Sequence, residues 1–304
     1  MPANPTAQSH AEYVEQAYLF DLLRQRIEEA TPMQELLDQL RHELLSTTHL
    51  PMAIDYMLAE LRHSGMMSPA MANLPHYFAP FQTFLVAEAE SEHGRFSMPL
   101  ALQVLHFDAK LRAEQIAVME GDETESNSRN GTKSAAKTLR HIRCGFFFFQ
   151  FESLCRNRLG YDAGLTAMAG DPMFDPPWST WLLKLRANVG LVDLADLLFI
   201  ASEDYVIKLA RSNPDQVPGG PILFGEKEGR IAFANRRKDP LYLFGAMQRH
   251  LGYPPVPRLV IEKEHRDTIP QLLRRIERME TRIKIMEQEQ KQEFDISKFY
   301  KKPD

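Results

Sequence analysis

Cysteine is nearly absent. Two thiols in 304 residues, Cys144 and Cys155, are too few to staple a fold together. If both sit on one helix, their spacing puts them roughly 16 Å apart by helical rise, beyond the reach of a disulfide. A reducing, cytoplasmic setting is the expectation that follows. Long apolar runs are missing as well. The most apolar stretch, 189–201, is interrupted by Asp193 and Asp196, and Phe146–Phe149 is far too short to span a bilayer. No membrane association is expected. Residues 1–10 are polar with two prolines, so they are read as a disordered N-terminus without a secretory leader. That reading makes the acceptor pattern Asn130-Gly131-Thr132 a chance match. There is no nucleophile elbow of the G-x-S-x-G type. The nearest approach to a phosphate-cradling loop, Gly219-Gly220-Pro221, lacks the lysine and the following helix that such a loop needs. No cofactor is implied.

What remains is the composition of an ordinary globular protein, 44% hydrophobic and 25% charged, long enough to bury a core. Its net charge of −5 is unevenly spread. Residues 1–137 hold 10 Lys/Arg against 19 Asp/Glu, whereas residues 138–304 hold 26 against 22. Solvated helix faces account for such a split without any special partner.

Hydrophobic spacing predicts a mainly α fold. Ser9-His10-Ala11-Glu12 reads as a capping box opening a first helix. Thr31-Pro32-Met33-Gln34 opens a second, and a third runs from Pro51 to a stop at Gly65. Phe81 to His93 and a segment starting at Ser97-Met98-Pro99 complete an N-terminal helical bundle over 11–119. Residues 120–137 are polar with hardly an apolar anchor, and they read as a flexible loop or linker and a domain boundary. A second helical part, 138–258, follows. It holds the aromatic run Cys144–Leu159, which must be buried on nearly every side and should end at Gly160. Asp175-Pro176 and Asp239-Pro240 each introduce another helix. Between them, residues 222–235 read as one small β-hairpin, with Ile222–Phe224 and Arg230–Phe233 as strands around 226–229.

Chemical signals are sparse. Two Glu-x-x-His quartets, Glu90…His93 and Glu262…His265, have the spacing of carboxylate-bridged di-iron helices, with Glu15 and Glu152 as possible completing ligands. One His precedes a helix-ending glycine and the other lies in a charged run, so solvated helix ends explain both. His141-x-x-Cys144 has no second pair to complete a zinc site. No metal site is assigned. A basic group in the hairpin region, Arg230, Arg236, Arg237 and Lys238, is the candidate partner surface, with Phe233 and Tyr242 interleaved.

The most regular pattern occupies 266–293. Leu272, Ile276, Met279, Ile283 and Met286 follow a heptad seam, preceded by Ile269, with a tail at 294–304. Arg275 and Arg282 fall at g, Glu280 and Glu287 at e. A parallel pair of such helices sets Arg275 against Glu280 and Arg282 against Glu287, whereas an antiparallel pair sets like charges together. A parallel homodimer is therefore expected, and the competing expectation is a terminal helix packed on its own body. The sequence points to a non-catalytic assembly or interaction protein. The alternatives are a helical-bundle enzyme using a metal, and a protein contacting nucleic acid through the basic region.

Overall fold

The computed structural model describes residues 8–27, 32–45, 47–91, 96–125, 129–212 and 219–258, with backbone alone over 121–136. Among them are thirteen helices: α1 (His10–Ile27), α2 (Met33–Leu40), α3 (Leu50–Ser64), α4 (Ser68–Asn73), α5 (Pro80–Glu90), α6 (Met98–Glu125), α7 (Arg129–Asn157), α8 (Tyr161–Ala169), α9 (Pro176–Asn188), α10 (Leu194–Ile200), α11 (Glu203–Ser212), α12 (Glu226–Ala234) and α13 (Pro240–Leu251). The fold is mainly helical, with no sheet among the described residues. The heptad segment 266–293 and the tail lie outside the described residues, as do 1–7 of the N-terminal stretch.

Local chemistry explains most helix boundaries. Pro51 occupies the first turn of α3, and Gly65 closes it in the left-handed region (φ 77°), its N–H reaching Leu61 O at 3.0 Å. Asp175 caps α9 by accepting from Trp178 N at 3.3 Å, ahead of two prolines. Asp239 does the same for α13, accepting from Leu241 N at 2.8 Å, and Gly252 ends that helix at φ 71°. The end of α7 differs from expectation. Arg158 takes the left-handed conformation (φ 54°), and Leu159 N–H returns to Leu154 O at 3.0 Å, the longer of the two Schellman bonds. Gly160, predicted as the stop, precedes α8 in extended conformation.

α6 is the axis of the body, packed against α1, α5 and α7. The core is continuous across the supposed boundary at 120–137. Residues 120–125 belong to α6 and 129–137 to α7, so the described part of that segment is helical rather than a loop. Lack of apolar anchors does not by itself exclude a helix. Met1–Pro257 forms one compact unit and Arg258–Asp304 another. The unit boundary therefore lies near 257, and the bundle over 11–119 is part of a larger body.

The aromatic run of α7 lies at the centre of its half of the core. The Phe147 ring meets Phe151, Trp178, Trp181 and Phe224 at centroid distances of 5.3–5.7 Å. Cys144 and Cys155 are both free thiols on this helix.

The expected hairpin is corrected. Residues 226–234 form α12, and the β interaction recorded among the described residues is one isolated parallel bridge, Ser202 to Phe224. Leu223 N and Phe224 N both reach Ala201 O, and Glu203 N reaches Phe224 O at 3.0 Å. The short run Arg230–Phe233 reads as a strand, but Glu228, Gly229 and Ala232 form a buried helical stripe. Gly229 permits the close approach that this requires. A Cβ there would lie 2.8 Å from Asp204 Cβ and closer still to Ser202 Oγ.

Candidate functional site

Two polar arrangements stand out, one buried and one open. The buried one centres on Arg112 of α6, whose side chain is fully enclosed. Arg112 Nε donates to Asp108 Oδ2 at 2.6 Å, one turn back on the same helix. Its Nη1 and Nη2 donate to the two oxygens of Asp171, at 2.8 and 2.5 Å, in the loop between α8 and α9. This is a bidentate fork. Gln150 of α7 donates to Asp108 at 3.0 Å and to Asp171 at 3.3 Å. The guanidinium also lies 5.0 Å from the Phe146 ring centroid. Burial pushes the Asp108 carboxyl up, with Arg112 opposing the shift. Burial alone lowers the Arg112 value, but the two aspartates outweigh it and hold the guanidinium well above its ordinary range. The cluster joins α6, α7 and the 170–175 loop.

From there, amides lead outward. Gln82 of α5 donates to Asp108 at 3.3 Å and to Gln16 of α1 at 3.1 Å, and Gln16 donates to Tyr77 O at 3.1 Å. Tyr77 OH in turn donates to Glu12 Oε2 at 3.0 Å. Burial is the main cause of the raised Tyr77 value, helped by the Glu12 charge, so this phenol is a donor.

Glu12 opens onto the second arrangement, a cleft of about 590 Å³ lined chiefly by α1, α3 and the loop before α5. Glu12 Oε1 accepts from His49 N at 2.9 Å and lies 2.7 Å from His49 Nδ1. The carboxylate is nearly buried (8% exposed) while the imidazole is 74% exposed. The residue pair is thus an acid held by the fold and a ring held by the acid. Met52, Ala53, Tyr56 and Leu74 supply apolar wall, and Gln8, Ser9 and His76 supply polar edge. Glu12, assigned from the sequence to a capping box, directs its carboxylate to Tyr77 and His49. No sequence spacing signals this site, since its residues lie 37 and 65 positions from Glu12.

Of the four residues read from the sequence as a basic surface, Arg230 and Arg236 are paired with acids. Arg230 pairs with Glu226 and approaches Asp204 at 3.8 Å. Arg236 Nε lies 2.5 Å from Asp196 Oδ1, a contact of charge rather than an aligned hydrogen bond. Its guanidinium also lies 4.3 Å from the Phe233 ring centroid, and Lys208 Nζ lies 3.9 Å from the same centroid. Lys238 Nζ donates to Ala234 O at 2.9 Å, closing the end of α12. Arg237 adopts φ 59°, with its backbone N–H donated to Asp193 Oδ2 at 2.5 Å. Its side chain is exposed. Four basic residues that read as a phosphate grip thus mostly tie α10, α11 and α12 together.

The other candidates do not converge. Glu90 accepts from Met67 N and Ser68 N, at 2.5 and 2.9 Å, at the start of α4. Glu15 accepts from Leu45 N at 3.2 Å, and Glu152 pairs with Arg156 and accepts from Gln248 at 2.6 Å. His141 lies against the Tyr253 ring, and the Cys144 thiol, pushed up by burial, points to Leu223 O. Among the described residues no three His, Cys, Asp or Glu side chains are arranged to hold a metal ion. His93, Glu262, His265 and the dimer residues Leu272, Arg275, Ile276, Met279, Glu280, Arg282, Ile283, Met286 and Glu287 lie outside the described residues. Among the described residues no helix is long and apolar enough to cross a membrane. Comparison with protein-family models, with curated proteins and with solved structures returns no match to this chain.

Proposed function

We propose that the chain is a non-catalytic assembly protein whose helical body is paired with a second copy through the heptad segment 266–293. The observation that carries this reading is that the body supplies its own core. α13 ends at Leu251, and Tyr253 and Val256, the last buried apolar residues of the described chain, sit just before the division at Pro257. An amphipathic segment beyond a body with a filled core is available to pair with another copy. The complementary Arg275–Glu280 and Arg282–Glu287 positions favour a parallel pair over an antiparallel one. Nucleic-acid contact through the basic surface is the weaker proposal, because Arg230 and Arg236 are already paired with acids and Lys238 with a backbone carbonyl. Sedimentation equilibrium of the full chain, beside a version ending at Arg266, tests the reading. A dimer that becomes a folded monomer on truncation supports it; a monomeric full chain at micromolar concentration removes it.

A further inference from the structure

The cleft beside α1 and α3 has a feature that assembly does not use: a carboxylate–imidazole pair set beside an apolar wall. Among the described residues Glu12 is the one acid in its lining, and no Lys or Arg lines it. Among the described residues the ion-pair partner recorded for Glu12 is His49 alone. In its neutral form the His49 ring must carry its proton on Nδ1, toward the acceptor-only carboxylate, because a lone pair there would face the Glu12 oxygen at 2.7 Å. Nε2, across the ring on a side chain 74% exposed, then presents a lone pair outward. Gln8, on the same wall, carries an Oε1 that is buried without a hydrogen-bond partner among the described residues, while its Nε2 donates to His76 O at 2.9 Å. With the ring in that neutral form, the pair sets the Glu12 carboxylate behind one open acceptor, His49 Nε2.

We propose that this cleft binds a small apolar amine, with its ammonium group donating to His49 Nε2 beside the Glu12 charge and its alkyl or aryl body lying along Met52, Tyr56 and Leu74. Three properties of the site select that class. Charge favours a cation over an anion, because a bound carboxylate would face Glu12 with no Lys or Arg among the described lining residues to offset it. Donor count favours an ammonium over an ether or a ketone, which have no proton to give to Nε2. The wall favours an apolar body, since Met52 (66% exposed) and Tyr56 (42%) are large apolar side chains left open in the body as described. The Tyr56 ring adds a face that attracts cations. A volume of about 590 Å³ lies within the roughly 300–1,000 Å³ range of small-molecule sites. The acidic bias of residues 1–137, 10 Lys/Arg against 19 Asp/Glu, adds long-range attraction for a cation.

The experiment compares three probes of one shape on the full chain at neutral pH and low salt: phenethylamine, 2-phenylethanol and 3-phenylpropionate. Calorimetric titration should show one saturable amine site per chain, at least tenfold tighter than the alcohol, with the carboxylate weakest. His49→Ala should weaken the amine about tenfold. Met52→Lys, at a side chain that is already exposed, should abolish amine binding by placing a competing ammonium in the cleft. Circular dichroism and thermal melts confirm that both variants fold as the parent does. Equal affinity for all three probes, a preference for the carboxylate, or no binding by any of them overturns the proposal. Amine binding that survives both variants overturns the location. None of these outcomes depends on whether the chain is dimeric, so the site and the assembly reading fail separately.

Discussion

Replacing Arg112 with Met is the sharpest test of how the body holds together. The substitution keeps an unbranched, apolar stem in a site that is fully buried, and removes the cation between Asp108 and Asp171. Four N–H to carboxylate contacts disappear, three of them at 2.8 Å or less. Asp108 and Asp171 then keep amide contacts from Gln150, and Asp171 also keeps Met173 N at 3.1 Å, but neither retains a counter-charge from Arg112. Breaking a buried ion pair from one side costs about 3–5 kcal/mol, because the remaining charge stays desolvated. A body of this size loses roughly 2–4 °C of melting temperature per kcal/mol, so Arg112→Met should melt about 10 °C early.

Asp108→Asn separates charge from packing. Two carboxylates share one guanidinium, and the Asp108 value is raised by burial first, with the Asp171 charge adding to it against the opposing pull of Arg112. Asparagine still offers a carbonyl oxygen to Arg112 Nε, leaving a one-to-one Arg112–Asp171 pair. Its new NH2 group meets a glutamine donor, so the cost should be about 1–3 kcal/mol, below that of Arg112→Met. The pH dependence follows from the same shift. A folded value above the unfolded one means that the native state holds the proton longer, so the Asp108 contribution is complete below the unfolded value and fades as pH rises through the folded one. Asp108→Asn should therefore compare more favourably with the parent as pH is raised across that window. Urea titrations at several pH values read all of this. A parent-like Arg112→Met, or an Asp108→Asn as damaging as Arg112→Met, would refute the reasoning.

Other substitutions test the remaining elements. Asp at both Ile276 and Ile283 places charges in the proposed seam and should leave a folded monomer in sedimentation, since each buried unpaired charge costs several kcal/mol. Gly229→Ala should destabilise by about 1–3 kcal/mol in chemical denaturation, because its Cβ meets Asp204 Cβ at 2.8 Å. Arg237→Gly relieves a left-handed backbone at φ 59° and should raise stability by about 1 kcal/mol; a loss instead would show that the arginine side chain contributes a contact of its own. Cys155, whose thiol is pushed up to about 11 by burial, should react with iodoacetamide at pH 8 roughly a hundredfold or more slowly than a free thiol. Equal rates for Cys155 and a model thiol would contradict that environment.

Punctuation and period were legible in the sequence, and so were the elements that depend on them. Asp175, Asp239, Gly65 and Gly252 act where the chain around them is short-range, so a cap read from neighbouring letters is a cap in space. The aromatic run of α7 was equally plain, because a helix with Phe at 146–149 and 151 has no polar side to show to water. The failures have one physical cause. The hairpin reading of 222–235 rests on two short runs, too brief to separate period 2 from 3.6, and the deciding contact, Gly229 against Ser202 and Asp204, comes from residues more than twenty positions away.

The polar sites were illegible for the converse reason. Asp108 and Arg112, one turn apart, look in sequence like one of the many i,i+4 pairs that decorate a wet helix face. Only their neighbours distinguish them. Leu105, Ala109, Ala113 and Ile116 are buried along with them, so α6 is enclosed on more than one side and any charge on its inner face must find a partner. The partner is Asp171, 59 positions on, placed by the loop after α8. Glu12 carries the same lesson at the surface. Its spacing from Ser9 fits a capping box, but local spacing reports which bonds are near, not which are better. A carboxylate offered an enclosed phenol and a backbone N–H from α3's entry takes those, and in doing so aligns the His49 ring over the cleft. A site of this kind becomes visible only when side chains distant in sequence share a wall. The basic residues at 230–238 show the opposite error: close in sequence, Arg230 and Arg236 face separate acids in space, and Lys238 turns to a backbone carbonyl.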